Sequence, residues 1–239
     1  MTTPRIDVLT RSLVRGVKGF RDLLFADRVT LQPVPFGLAQ GTVQAVNLRY
    51  QFRQALGLYE LEIAPLLKDV ASNRSMCLDV GAATGYYSLA FARLNPSGRV
   101  VAFEPDSACR RTMSAALRHN RELADRIMVA PYAVSDTDDR DAGIARIDSL
   151  IAEGAFPPAD FVKMDIEGAE VAALRGMRTL LEEWRPALLI EVHGLDRELG
   201  CIEIMTGHNY AVRVIDQANR IPEARPLGHN RWLLGSPRP

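Results

Sequence analysis

The chain has 239 residues, 47% of them hydrophobic, enough to bury one substantial core with a small appendage. Lys plus Arg and Asp plus Glu number 29 each, so no bulk charge draws the protein to nucleic acid, and none is expected as a partner. No run approaches the roughly 20 apolar residues of a membrane span and no secretory leader pattern opens the chain, while Cys77, Cys109 and Cys201 form no CxxC pair; a cytoplasmic protein without a disulfide or zinc framework is expected.

From Arg5 to Phe25, the residues Leu9, Leu13, Val17, Phe20 and Leu24 recur at helical spacing between Arg11, Arg15, Lys18 and Arg21, predicting a basic amphipathic helix. Asp7, Asp22 and Asp27 dilute its charge, so packing on the domain or on a homodimer partner is expected ahead of a membrane surface. Pro33-Val34-Pro35-Phe36-Gly37 and Gly41 predict a break, and Val46 to Val70 a helix interrupted near Gly57 and Pro65. Residues 1–73 are therefore expected to form a helical cap on the substrate side, and residues 74–239 the core.

The core opens at Met76. Leu78-Asp79-Val80-Gly81-Ala82-Ala83-Thr84-Gly85, followed by the amphipathic run Tyr86 to Leu94, reads as a strand, a glycine turn and a helix whose N-terminus points at the turn. Arg99 to Phe103 is a second strand ending in Glu104-Pro105-Asp106, and Ser107 to Asn120 a second helix. This βαβα order predicts a parallel sheet. Ile127 to Val134 supplies a third strand, Phe161 to Ile166 a fourth, Glu170 to Glu183 a helix, and Ala187 to Val192 a fifth strand buried on both faces. Tyr210 to Ile215 and Arg231 to Leu234 are expected to close the sheet as an antiparallel pair. The acidic Asp136 to Asp141 stretch lacks the glycine and closing glutamate of a calcium loop, and reads as a solvated turn.

Glu104 lies 23 residues after Gly81 at the tip of the second strand, where a carboxylate can accept hydrogen bonds from both hydroxyls of an adenosine ribose. Nicotinamide dinucleotides and S-adenosylmethionine both use such an acid. The dinucleotide fingerprint GxGxxG needs a central glycine beside the pyrophosphate, and Gly81-Ala82-Ala83-Thr84-Gly85 lacks it. Asp79 either helps hold a cationic ammonium or sulfonium, directly or through water, or caps the helix that follows.

Asp79-x-Gly81-x-x-x-Gly85, Glu104-Pro105 and above all Phe161-Val162-Lys163-Met164-Asp165-Ile166-Glu167-Gly168-Ala169-Glu170 resemble the FkbM family of class I S-adenosylmethionine-dependent methyltransferases. Gly57-Leu58-Tyr59-Glu60, Ala133-Val134-Ser135-Asp136, Ile147-Asp148-Ser149-Leu150 and Leu189-Ile190-Glu191-Val192-His193 support the resemblance in the same order. It spans residues 57–234; the first 50 or so residues match no pattern of the family. The resemblance implies an α/β fold with a seven-stranded, mostly parallel sheet flanked by helices on both faces. It also implies methyl transfer from S-adenosylmethionine, with S-adenosylhomocysteine as product, to a hydroxyl on a sugar, natural-product scaffold or other small metabolite. In this reading Asp79, Gly81 and Gly85 line the methionine end, Glu104 the ribose, Tyr132 with Ala133 the adenine edge, Tyr59 covers the cofactor from the cap, and Ala82, Tyr86 and Pro105 also belong to the cofactor site.

Ligands of open parallel sheets bind beyond the carboxyl ends of the strands, so topology brings Asp165, Glu167, Glu191 and His193 to one rim. Methyl transfer to an alcohol needs alignment and a proton acceptor. His193 is the expected general base, Asp165 the group that positions the cofactor amine or the acceptor, and Glu167 a second candidate base. The competing reading of His193 is a rim histidine hydrogen-bonded for structure, and His119, His208 and His229 read as surface residues. A divalent metal on Asp165, Glu191 and His193 is a lesser reading, because magnesium prefers oxygen to imidazole. Lys163 shares a strand face with Phe161 and Asp165 and must find a carboxylate, Asp148 or Glu191. The rival functions are a nicotinamide-dependent oxidoreductase and an inactive binding protein on the same fold. RNA methylation is disfavoured by Asp165-Ile166-Glu167-Gly168 where an Asn-Pro-Pro-aromatic string would stand.

Overall fold

The computed structural model describes residues 25–215 and 230–239. The amphipathic helix expected over residues 5–25 therefore lies, apart from Phe25, outside the described residues. The chain from there departs from a purely helical cap. Strands β1 (Val29–Pro33) and β2 (Val43–Asn47) pair antiparallel, with Leu31 opposite Ala45. The reason is a period of two: Thr30 and Gln32 are the less exposed residues of β1, and Val34 and Gly41 close the hairpin through their backbones. The expected long helix accordingly begins two residues late. Asn47 ends β2 and caps helix α1 (Leu48–Leu56), accepting the Arg49 N–H at 3.0 Å. The predicted interruptions are present: Gly57 ends α1, and Pro65 stands in the first turn of α2 (Ala64–Val70).

The core runs β3 (Met76–Val80), α3 (Tyr86–Leu94), β4 (Arg99–Phe103), α4 (Ser107–Leu117), α5 (Arg121–Ala124) and β5 (Ile127–Ala130). Two short strands, β6 (Ala133–Val134) and β7 (Ile144–Ala145), precede α6 (Ile147–Ala152), β8 (Phe161–Met164) and α7 (Glu170–Arg175). The chain ends with β9 (Ala187–His193), α8 (Leu195–Gly207), β10 (Tyr210–Ile215) and β11 (Asn230–Pro237). The third strand expected over Ile127 to Val134 is two: Pro131 has no N–H to continue the ladder, and β6 leaves to pair with β7. The helix expected to run to Glu183 stops at Gly176 and resumes as a π-helical turn over Leu180–Trp184.

Seven strands form one sheet in the order β10-β11-β9-β8-β3-β4-β5. The pairs β3–β4, β4–β5, β3–β8 and β8–β9 are parallel, and β11 is antiparallel to both neighbours. Alternation along β3 sends Leu78 and Val80 to one face and Cys77 and Asp79 to the other. On the first face Leu78, Val80, Val162 and Ile190 pack with Ile147, Leu174 and Met205 of the later helices and with Met177 from the turn after Gly176. On the second, Cys77, Phe161, Leu189 and Trp232 pack with Leu89 and Phe91 of α3 and Met113 of α4. Val34, Ala45, Ile63 and Leu67 belong to that same cluster, so residues 25–73 are a layer on this face. Asn120 fixes the hairpin to it, its side-chain amide donating to Val43 O at 2.7 Å and accepting from Val43 N at 2.9 Å. In the acidic turn, Asp138 accepts from Arg146 N at 2.9 Å and from Ser149 Oγ at 2.6 Å. Among the described residues, no helix is long and apolar enough to cross a membrane.

Candidate active site

From β3 the chain moves first to β4 on one side and later to β8 on the other. A crevice opens between them at the carboxyl ends of the strands. There lies a cavity of about 450 Å³, lined by Tyr59, Val80, Gly81, Ala83, Phe103, Glu104, Pro105, Tyr132, Ala133, Val134, Asp165, Ile166, Glu167 and Ala169. Of the residues proposed from sequence, Tyr59, Gly81, Glu104, Pro105, Tyr132, Ala133, Asp165 and Glu167 are therefore brought together on its wall. Asp79, Ala82, Gly85, Tyr86 and His193 are not on it. A second cavity, of about 340 Å³, lies at the opposite edge between Arg99 and Met128, away from these groups.

The turn after β3 is held by the neighbouring strands. Gly81 has φ +81°, and a Cβ there would stand 1.8 Å from the Asp165 carbonyl oxygen, so the approach of the β8 loop requires glycine. Gly85, at φ +85°, opens α3 against Met113. Four of the five backbone donors of the turn, those of Gly81, Ala82, Ala83 and Gly85, are spent within the protein. Gly81 N and Ala82 N donate to Phe103 O at 3.0 and 2.9 Å, and Gly85 N donates to Ala82 O at 2.8 Å. Ala83 N donates to Glu104 Oε2 at 2.8 Å, while Glu104 Oε1 accepts from Asp106 N at 2.8 Å. A pyrophosphate needs such amides free at a helix N-terminus. Two non-glycine residues on the cavity wall, Ala83 at φ +47° and Glu167 at φ +51°, sit in the left-handed region. Such strain persists where surrounding structure imposes it, and it gathers at binding sites.

Beneath the turn is a buried polar cluster on the cap side of the sheet. The β3–β8 register sets Asp79 opposite Lys163. Asp79 is fully buried; Oδ2 accepts from Ser88 Oγ at 2.6 Å, and Oδ1 has no hydrogen-bond partner among the described residues. Burial pushes its carboxyl up, against the pull of Lys163 and Ser88. The Lys163 ammonium, 2% exposed, lies 3.6 Å from Asp165 Oδ2, 4.7 Å from the Tyr87 ring centre and 5.7 Å from that of Trp232. Burial alone would lower its pKa, but Asp165, Asp79, Glu60 and Glu191 together raise it, so it stays charged. One of its two expected partners is corrected here. Asp148 instead caps the π-helical segment, accepting from Thr179 N at 2.8 Å and Leu180 N at 3.0 Å.

At the rim, His193 Nδ1 lies 2.7 Å from Glu170 Oε1. Burial would raise Glu170, but the His193 bond and backbone amides carry its carboxyl below the usual range, so it is the acceptor and Nδ1 the donor. That bond fixes the tautomer and leaves Nε2 facing Asp165 Oδ1 at 3.7 Å. The Glu170 bond also raises the imidazole pKa, over the opposing effect of burial. Glu191, 3% exposed, is pushed up to about 8 by burial and by Asp165 and Glu60. The ligating atoms of Asp165, Glu191 and His193 lie within 4.8 Å of one another. Two carboxylates and an imidazole suit manganese, iron or zinc better than magnesium. Lys163 already supplies a positive charge at this corner.

Two acids were not assigned roles from sequence. Glu170 orients His193, and Glu60 accepts the Tyr87 hydroxyl at 2.5 Å beneath the cap. The signal for Glu170 was its place in the Lys163 to Glu170 string, where helix α7 begins under the rim.

Residues 135–218 match the methyltransferase FkbM domain. Among solved structures, methyltransferase FkbM from Methylobacillus flagellatus KT is 22% identical with a TM-score of 0.53, over 69% of this chain and 44% of that one. The chain thus spans less than half of that protein's length. Precorrin-6y C5,15-methyltransferase from Geobacter metallireducens GS-15 is 16% identical with a TM-score of 0.54, over 75% of this chain and 88% of that one. Aeropyrum pernix fibrillarin, solved with natively bound S-adenosyl-L-methionine, is 15% identical with a TM-score of 0.51, over 71% of each chain. The shared fold is that of the class I methyltransferases. None of the curated proteins compared matches in sequence.

Proposed function

We propose, on the premise that this chain carries the methyltransferase FkbM domain over residues 135–218, that it transfers the methyl of S-adenosylmethionine to a hydroxyl of a small molecule. The observation that carries the cofactor reading is the state of the glycine turn. The amides of Gly81, Ala82 and Ala83 are engaged by Phe103 and Glu104, which suits a ligand without a pyrophosphate. The unpartnered Asp79 Oδ1 below the turn and the carboxylates of Asp165 and Glu104 on the wall suit an ammonium or sulfonium at one end and a ribose at the other. Gly81 and Ala83 would give the cofactor backbone to lie on, Tyr132 and Ala133 would flank its adenine, and Tyr59 lines the cavity from the cap side. When bound, S-adenosylmethionine supplies an electrophilic methyl on a sulfonium.

This chain's own work is alignment and proton removal. Asp165 holds the cofactor amine or the acceptor at the border between cavity and rim. His193, with Nδ1 tied to Glu170, presents Nε2 as the base that takes the acceptor's hydroxyl proton. Glu167, exposed on the cavity wall, is the second group within the same region. The acceptor is read as a hydroxylated metabolite, sugar or natural-product scaffold, and the N-terminal layer shapes its side of the cleft.

The test is incubation of the protein with methyl-labelled S-adenosylmethionine and a small-metabolite extract, followed by isolation of labelled product. The reading expects label in a methyl ether and a rate lowered on the order of a hundredfold in His193→Ala. Label appearing only in amines or in RNA would overturn the acceptor class, and an unchanged rate in His193→Ala would remove the base assignment.

A further inference from the structure

The two walls of the cavity come from distant parts of the chain: Tyr59 from the N-terminal layer, and Asp165 from the loop after β8. They do not share an element, yet one buried path joins them. Asp165 Oδ2 is 3.6 Å from the Lys163 ammonium. That ammonium lies 4.7 Å from the centre of the Tyr87 ring. The Tyr87 hydroxyl donates to Glu60 Oε2 at 2.5 Å, and Glu60 follows Tyr59 directly. Glu60 holds φ +44°, a left-handed conformation a non-glycine residue adopts only when its surroundings impose it. Glu60, Tyr87 and Lys163 are all buried, so solvent screens these contacts little.

We propose that Lys163 is a positioning residue that ties the seating of the N-terminal layer to the aim of Asp165, so that both walls of the cavity are set together. The charged and titratable groups facing it are Asp79 from β3, Tyr87 from α3, Asp165 from its own loop, Glu191 from β9 and Glu60 from the N-terminal layer. The ring of Trp232 from β11 completes its surroundings. With carboxylates on several sides, the ammonium is pulled toward the rim by Asp165 and toward the layer by Glu60. Losing either partner frees the other wall. The consequence for the reaction rests on the cofactor reading above, whereas the coupling of the walls does not.

The test uses the full chain and three variants, Lys163→Met, Glu60→Gln and Tyr87→Phe. Tyr87→Phe keeps the ring beside Lys163 and removes only the bond to Glu60. Amide hydrogen exchange in the free protein reads the two loops, around Tyr59 and around Asp165. The expected result is faster exchange in both loops, about two- to tenfold, in Tyr87→Phe and Glu60→Gln as well as in Lys163→Met. Faster exchange confined to the Tyr59 loop in Tyr87→Phe and Glu60→Gln would overturn the proposal, including when Lys163→Met fails to fold. Titration with S-adenosylhomocysteine gives the second readout. Lys163→Met should bind about tenfold more weakly, and the loss should shrink in the Glu60→Gln background, a coupling of about two- to tenfold. Binding of a folded Lys163→Met within twofold of the parent, or losses that simply multiply, would also overturn it. A parent protein that binds no S-adenosylhomocysteine, yet shows coupled exchange, would retain the link and remove the cofactor reading.

Discussion

At the scale of single residues, the Glu170–His193 pair makes the sharpest prediction about pH. The raised imidazole pKa means that His193 becomes a neutral base only above the ordinary value of about 6.5. The rate of methyl transfer should therefore climb with pH through a step above that value. Glu170→Gln removes the largest cause of the shift, so the step should move to lower pH while the plateau falls on the order of tenfold, because the tautomer is no longer fixed. A step that stays in place would detach Glu170 from the base. Stability carries the same signature. The raised His193 contributes fully below the unfolded imidazole pKa and loses its contribution as pH rises through the folded one. The depressed Glu170 contributes above the unfolded carboxyl pKa and loses it as pH falls through the folded one. The parent should thus exceed Glu170→Gln in stability most between about pH 4.5 and 6.5, measured by denaturation across that range. Because Lys163 already places a cation at this corner, turnover should change less than about twofold in a chelator. A loss restored by manganese or zinc would assign an ion to Asp165, Glu191 and His193.

At the scale of elements, the hairpin of β1 and β2 depends on the doubly bonded amide of Asn120. Asn120→Ala should cost about 1–3 kcal/mol in chemical denaturation, since it leaves both Val43 backbone groups without their partner. A cost within experimental error would show the hairpin to be held by its apolar residues alone. The same elements show where sequence reading succeeds. Strands β3, β4 and β9 are short apolar runs ending at charged residues, and their order and direction followed from the alternation with helices. The hairpin was missed because Thr30, Gln32 and Gln44 interrupt its apolar pattern, and only pairing across the turn makes the period of two visible. Pro131 was a stronger break than the apolar run around it suggested, because a missing N–H ends a ladder whatever the side chains prefer.

At the scale of the whole molecule, the order of the sheet decides which residues meet. Gly81, Glu104 and Asp165 could be placed on one edge from sequence because parallel strands all present their carboxyl ends there. Contacts beneath that edge were not legible in the same way. The preference of Lys163 for Asp165, the bond from Tyr87 to Glu60 and the grip of Glu170 on His193 each join residues through side-chain direction and burial, which spacing does not encode. The cofactor proposal holds the cavity between β3, β4 and β8 to be shaped for S-adenosylmethionine and not for a dinucleotide. Isothermal titration of the protein with S-adenosylhomocysteine and, separately, with NAD tests it most directly. One S-adenosylhomocysteine should bind per chain, weakened about tenfold or more by Glu104→Ala, with no heat from NAD. Binding of NAD without S-adenosylhomocysteine would contradict it.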